Sequence, residues 1–284
     1  MSKPVVHNPV GRLVGEHPKA VRLARVGWLA KGIVYVLAGA LALVLAATAI
    51  GWAGSGSSTK EASPNGAIKE IAGHAGGPVL LLAVAGGMFL YALWRLVTAL
   101  LPGSTDATGW AKRIGFIVSA VIYTTLGVTA VALARRPGTS TDGNQSVQQK
   151  TTGILSHSYG RWLIGAVGVI VIVVGLYRML LGLRADVDKE LSLGGLSSAR
   201  RRWIERLGAV GEFGRGIGIG FVGFFLVRAA VTFRGDEATG LDGALRRMAT
   251  FRWGDALVAV VGIGFVAYGL FCVLTFTHRR LEAP

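Results

Sequence analysis

Gly66-Ala67-Ile68-Lys69-Glu70-Ile71-Ala72-Gly73-His74, closed by Gly77 and then by the uncharged apolar run 79–91, is the stretch that decides the fold. A near copy stands at Gly243-Ala244-Leu245-Arg246-Arg247-Met248-Ala249-Thr250-Phe251, again followed by a glycine, Gly254, and an apolar run. The offset is a constant 177 residues, without a gap, through Tyr91 and Tyr268. A further copy at an offset of 83 pairs His74 with His157, Gly77 with Gly160, Trp94 with Tyr177 and Arg95 with Arg178. Upstream, Arg25-Val26-Gly27 pairs with Arg113-Ile114-Gly115, and Val26-Gly27 with Val210-Gly211. Tyr35 pairs with Tyr123, and Lys31-Gly32 with Arg215-Gly216. Apolar composition alone does not produce such matches in polar loops, so the chain reads as three copies of one unit.

Each unit holds two apolar runs. Only 16% of the 284 residues are charged, 52% are hydrophobic, and the mean hydropathy is +0.54. A soluble chain carries about a quarter charged residues. A helix crossing a hydrocarbon layer of ~30 Å needs roughly 20 mostly apolar residues. Lipid satisfies no backbone polar group, so the spans are helices. The pattern predicts spans at 26–50, 78–101, 114–134, 162–182, 213–233 and 255–277. The expected fold is an all-α integral membrane protein, its six transmembrane helices forming three parallel tandem helical-hairpin repeats. Two spans return a unit to its starting side, so all copies share one orientation, and a pseudo-threefold bundle follows. Inverted repeats, common in transporters, do not fit.

The expected divisions are a basic N-terminal segment (1–21), unit one (22–102), unit two (109–184), a basic linker (185–205) and unit three (206–280). Between the two spans of a unit lies a short amphipathic piece, with Ile68, Ile71 and Ala72 on one face, and Leu245, Met248 and Ala249 likewise. That spacing suits a helix lying in the membrane interface or a loop helix packed on the bundle, and the sequence does not choose between them. The first apolar run is too long for a cleaved signal peptide and is expected to stay.

The net charge of +15 reads as topology. With the N-terminus inside, the inner segments carry fifteen Lys and Arg and the outer loops ten. This bias predicts a multi-pass protein of the plasma membrane with both termini cytoplasmic. The inner run Arg200-Arg201-Arg202-Trp203 suits anionic phospholipid. Nucleic acid is not expected as a partner, since no binding module accompanies the charge. The single cysteine, Cys272, excludes an intrachain disulfide and a cysteine metal cluster.

Gly27-Trp28-Leu29-Ala30-Lys31-Gly32-Ile33-Val34-Tyr35, then Gly66-Ala67-Ile68-Lys69, then Tyr91-Ala92-Leu93-Trp94-Arg95, together resemble a known family, the domain of unknown function numbered 1206. The resemblance spans about residues 22 to 280. It implies three tandem two-helix copies and an actinobacterial type, and it implies no activity, cofactor or catalytic residue. Unit two departs from the pattern, with Gln149-Lys150 at the Gly-Ala turn, and unit three has Cys272 where the others have Arg.

Ionisable residues inside spans are costly and mark candidate sites. Lys31 and Arg215 match between units one and three, and Arg95 and Arg178 between units one and two. All four lie near the predicted cytoplasmic ends of their helices. They are candidate contacts for an anionic lipid headgroup or solute, or they snorkel to the interface. Glu212 lies one helical step from Arg215 and is a candidate partner for it. Gly214, Gly216, Gly218 and Gly220 are read as helix-packing glycines. The formal Gly-x-Gly-x-x-Gly at 218–223 lacks the strand and helix of a dinucleotide site. His74 and His157 are read as loop histidines, because they lack further ligands at metal spacing. No catalytic constellation is visible, and no metal or cofactor is expected. The expected function is non-enzymatic, through helix packing and contacts with lipid, a membrane-protein partner or another copy. A small-solute or ion transporter or channel with a path on the pseudo-threefold axis is the alternative.

Overall fold

The computed structural model describes residues 18–51, 61–100, 107–136, 143–184 and 197–276, and of residues 18–24, 107, 108 and 111 the backbone alone. Most of the basic N-terminal segment 1–21, residues 185–196 of the linker, and Arg279 and Arg280 lie outside the described residues. The helices are α1 (Pro18–Ala49), α2 (Pro64–Ala72), α3 (Gly77–Leu100), α4 (Ala107–Arg135), α5 (Gly143–Leu155), α6 (Gly160–Leu183), α7 (Ser198–Thr232), α8 (Leu241–Ala249) and α9 (Gly254–Thr275), with a 3-10 turn at Gly235–Glu237 before α8. There is no strand among the described residues. Six helices are long and apolar enough to cross a membrane, at Arg25–Ala49, Gly77–Leu100, Lys112–Arg135, Gly160–Leu183, Ser198–Thr232 and Gly254–Thr275. Three two-span hairpins of an all-helical membrane protein are therefore present, as the repeat predicts. Part of the basic linker is helical, because α7 begins at Ser198 and runs through the arginine cluster into its span.

The matched glycines that open α3, α6 and α9 have one local cause. The Gly77 amide donates to the His74 carbonyl at 2.8 Å, Gly160 to His157 at 2.8 Å, and Gly254 to Phe251 at 2.9 Å. In this tight turn a Cβ on the glycine would strike the carbonyl oxygen of Ile71, Ile154 or Met248 respectively. At its other end α2 starts on Pro64, with the Ser63 hydroxyl accepting from the Gly66 amide at 3.1 Å.

Packing is strongest between units rather than within them. The closing helix of each unit lies along the opening helix of the next: α3 on α4, α6 on α7, and α9 on α1. Small residues spaced by seven line these seams. Gly32 and Gly39 of α1 face Gly269 and Gly262 of α9. Gly168, Gly175 and Gly182 of α6 face Gly223, Gly216 and Ala209 of α7. In α3 the corresponding residues are Ala85, Ala92 and Ala99, all buried. A Cβ at Gly39 would lie 2.6 Å from the Val266 amide, and one at Gly175 2.7 Å from the Gly220 amide. Lipid tails are as apolar as leucine, so close backbone approach and the dispersion contacts it brings hold such helices together. The seven-residue period is that of helices wrapped at a shallow angle.

The helix neighbours run α4–α3–α1–α9–α7–α6. The threefold relation thus holds at the three seams but is opened inside unit two, where α4 and α6 do not pack along their lengths. In unit one Gly27 of α1 lies against Gly87 and Tyr91 of α3, and in unit three Gly211 and Gly214 of α7 lie against Tyr268 and Gly264 of α9. Unit two has Ile170 and Val174 at the positions of those glycines and tyrosines. Both side chains are exposed rather than packed on α4, and a Cβ at Gly115 would meet nothing within 4 Å.

The short helices divide by unit. In α2, Ile68 and Ile71 are buried, and in α8, Leu245 and Met248, all within the main apolar core. These two are packed loop helices. In α5 only Thr151 is buried. The connections also tie the units together at the end of the bundle where these helices lie, the distal end. Asp242 accepts from the Ala62 amide at 2.7 Å, and Asn144 from Thr239 at 2.6 Å and the Gly240 amide at 2.8 Å.

Candidate functional site

Near the opposite, proximal end the polar residues of the spans meet at one buried junction. Lys31 lies six residues inside the span of α1, or about 9 Å at ~1.5 Å per residue. It is 4% exposed, and Arg215 of α7 is 6% exposed. Both therefore turn inward, whereas snorkelling would carry them to the interface.

The Lys31 ammonium sits among five aromatic rings. Its Nζ is 4.6 Å from the Trp28 ring centroid, 4.7 Å from Tyr91, 5.1 Å from Tyr268, 5.2 Å from Tyr123 and 6.0 Å from Tyr35. It donates to the Tyr91 hydroxyl at 3.1 Å. The same hydroxyl accepts from Arg95 Nε at 2.8 Å. The guanidinium of Arg95 also lies over Phe116 of α4, 4.9 Å from its centroid.

Glu212 organises the other half. Its carboxylate accepts from Arg178 of α6 at 2.7 Å and from Arg215, three residues on, at 3.2 Å. Arg215 stacks over Tyr268 at 3.8 Å and Tyr35 at 5.0 Å, and its buried Nε has no partner. Tyr35 and Tyr268 are edge to face, with centroids 5.0 Å apart, and join the two halves. All six spanning helices contribute: α1 gives Trp28, Lys31 and Tyr35, α3 Tyr91 and Arg95, α4 Tyr123, α6 Arg178, α7 Glu212 and Arg215, and α9 Tyr268.

The four matched cations of the sequence thus converge. Glu212 is the carboxylate that ion-pairs with them among the described residues. Cation–π contacts are worth up to ~2 kcal/mol each when desolvated, and they offset part of the cost of burying Lys31 and Arg215. The sequence reading named the cations and the Glu212–Arg215 pair. It missed the tyrosine cage and the reach of Glu212 to Arg178. A signal was present, since Tyr35 with Tyr123 and Tyr91 with Tyr268 are themselves repeat matches.

The remaining candidates have structural places. Gly214 packs on Gly264 of α9 and Gly216 on Gly175 of α6, while a Cβ at Gly218 would come nearest the Leu241, Val261 and Phe265 side chains. A Cβ at Gly220 would meet nothing within 4 Å. His74 Nδ1 donates to the Glu70 carbonyl at 2.8 Å, and His157 Nδ1 to that of Gly153 at 3.0 Å. Each histidine closes the end of its own short helix. No group of three or more His, Cys, Asp or Glu side chains is placed to hold a metal among the described residues. Two open clefts, about 250 and 460 Å³, lie away from the junction and are almost wholly apolar. One is lined by Gly182, Phe213 and Ile263, the other by Leu43, Ile50 and Ala259.

The chain is 28% identical over 267 residues to an uncharacterized protein, YxxB, of Bacillus subtilis (strain 168), covering 93% of each. No solved structure matches it. The family model described as Domain of Unknown Function (DUF1206) matches three times, at 26–101, 114–185 and 210–275. These three matches coincide with the three helical hairpins, and the chain belongs to that family as a tandem of three copies.

Proposed function

We propose that this multi-pass membrane protein is non-enzymatic and works by holding an anionic group of a lipid or a membrane-protein partner at the junction of Lys31, Arg95, Arg178 and Arg215. The observation that carries the proposal is the charge balance. Four cations from three repeats converge, one carboxylate pairs with two of them, Arg178 and Arg215, among the described residues, and the guanidinium of Arg215 keeps a buried Nε without a hydrogen-bond partner. An anion supplied from outside would complete such a site. The excess of Lys and Arg on the inner segments supports a plasma-membrane protein with both termini cytoplasmic, an orientation in which the junction faces the leaflet where anionic lipids concentrate. The exposed Trp203 and the Arg200–Arg206 stretch of α7 at the same end suit that surface.

Native mass spectrometry of the full chain, released from nanodiscs of mixed phosphatidylcholine and phosphatidylglycerol, tests this. Retention of phosphatidylglycerol or of a protein partner, lost in Arg95→Gln/Arg178→Gln, is the expected result. A bare monomer from every bilayer composition defeats it.

Convergence of matched polar residues from all three units favours one second reading, a solute or ion path along the bundle axis. Against it, rings pack directly on Lys31. Reconstituted vesicles that pass no small anion or cation above the protein-free rate would dispose of that reading.

A further inference from the structure

We infer that unit two is a lateral portal, and that its resident is one diacyl anionic phospholipid wedged between α4 and α6 with its phosphate at the junction. The inference rests on the anion-holding reading above and adds the ligand and its route.

The first observation is a gap with a specific location. α4 gives Tyr123 and α6 gives Arg178 to the same junction, yet α4 and α6 do not pack on each other. The junction therefore lies directly behind the opening. The second observation is that the face buried in unit one is bare in unit two. Ala30 and Val34 of α1 are buried, and their counterparts Val118 and Ile122 of α4 are exposed. Tyr91 of α3 is buried, and its counterpart Val174 of α6 is exposed, as is Ile170 at the position of Gly87. These two exposed apolar strips begin at the depth of the cations and run distally, which is the course of an acyl chain whose headgroup sits at the arginines.

The third observation concerns charge. Arg178 is one-third exposed at the α6 lip, and Arg95 lies against Phe116 of the α4 lip. Arg215, with its unpartnered and buried Nε, stands behind them. Arg95 and Arg178 are each five residues from the ends of their helices, about 7.5 Å along the axis, within reach of a phosphate at the headgroup boundary. A phosphate carried on two acyl chains fits both halves of the opening, the arginines and the exposed apolar strips.

The test uses the full chain in nanodiscs containing a photoactivatable phosphatidylglycerol, with labelled peptides mapped by mass spectrometry. Expected labels fall on 115–122 and 170–177. The lipid-facing substitutions Gly115→Trp and Ile170→Trp fill the gap without touching a cation. Together they are expected to cut both labelling there and retention of phosphatidylglycerol by roughly tenfold, the scale of one or two lost basic contacts. Retention unchanged in the filled variant but lost in Arg95→Gln/Arg178→Gln overturns the portal and leaves the anion site standing. Retention unchanged in both sets overturns both. Label spread evenly over the six spans, or a lipid-free dimer that the filled variant abolishes, also overturns the portal.

Discussion

Glu212 carries more consequence than any other single side chain. It is 7% exposed and pairs with Arg178 and Arg215. Removing one partner of a buried ion pair leaves an uncompensated charge and costs about 3–5 kcal/mol. Glu212→Gln is therefore expected to lower the thermal unfolding midpoint in detergent sharply, and an unchanged midpoint would show that the carboxylate is not what holds the two arginines. Lys31→Met is expected to behave oppositely. It exchanges a buried ammonium, whose desolvation is costly, for an apolar chain of similar length. Tyr91 keeps its bond from Arg95. The midpoint should hold or rise while phosphatidylglycerol retention falls. A large loss of stability would mean that the ammonium serves the fold and not a ligand.

At the scale of elements, the seams decide which helix lies on which. Gly175 and Gly220 illustrate the difference between two glycines of one interface. A Cβ at Gly175 meets backbone of α7 at under 3 Å, and one at Gly220 meets open space. Gly175→Ala should destabilise by about 1–3 kcal/mol through forced separation of the helices. Gly220→Ala should be neutral or gain up to ~1 kcal/mol from helix propensity. Measured side by side, the denaturant or thermal midpoint should fall for Gly175→Ala and hold or rise for Gly220→Ala, and equal losses would refute the seam geometry. The amphipathic pieces carry a related lesson. Their apolar faces were legible at Ile68, Ile71, Leu245 and Met248. Whether those faces met lipid or protein depended on the distal connections, where Asp242 and Asn144 tie units together.

For the whole molecule, orientation is the open quantity that the charge bias addresses. With Cys272→Ser as background, Ser197→Cys at the start of α7 should react with an impermeant thiol reagent only after the membrane is opened. Labelling in intact cells would reverse the topology and put the junction in the outer leaflet. The molecule is also less symmetric than its sequence. Three seams predict a closed ring, and it is open in unit two, where Ile170 and Val174 stand exposed in place of a packed glycine and tyrosine.

The sequence alone determined the six spans, the three units and their common direction, and the four cations that matched between them. Those features come from short-range causes: apolar length against bilayer thickness, and a glycine forced by one tight turn. The tertiary structure decided that closing helices pack on the next unit, that Tyr35, Tyr91, Tyr123 and Tyr268 form one cage, and that Glu212 reaches Arg178. It also decided that unit two stays open. These depend on the fit of surfaces far apart in the chain, where replacing a glycine with an isoleucine changes which backbones can touch.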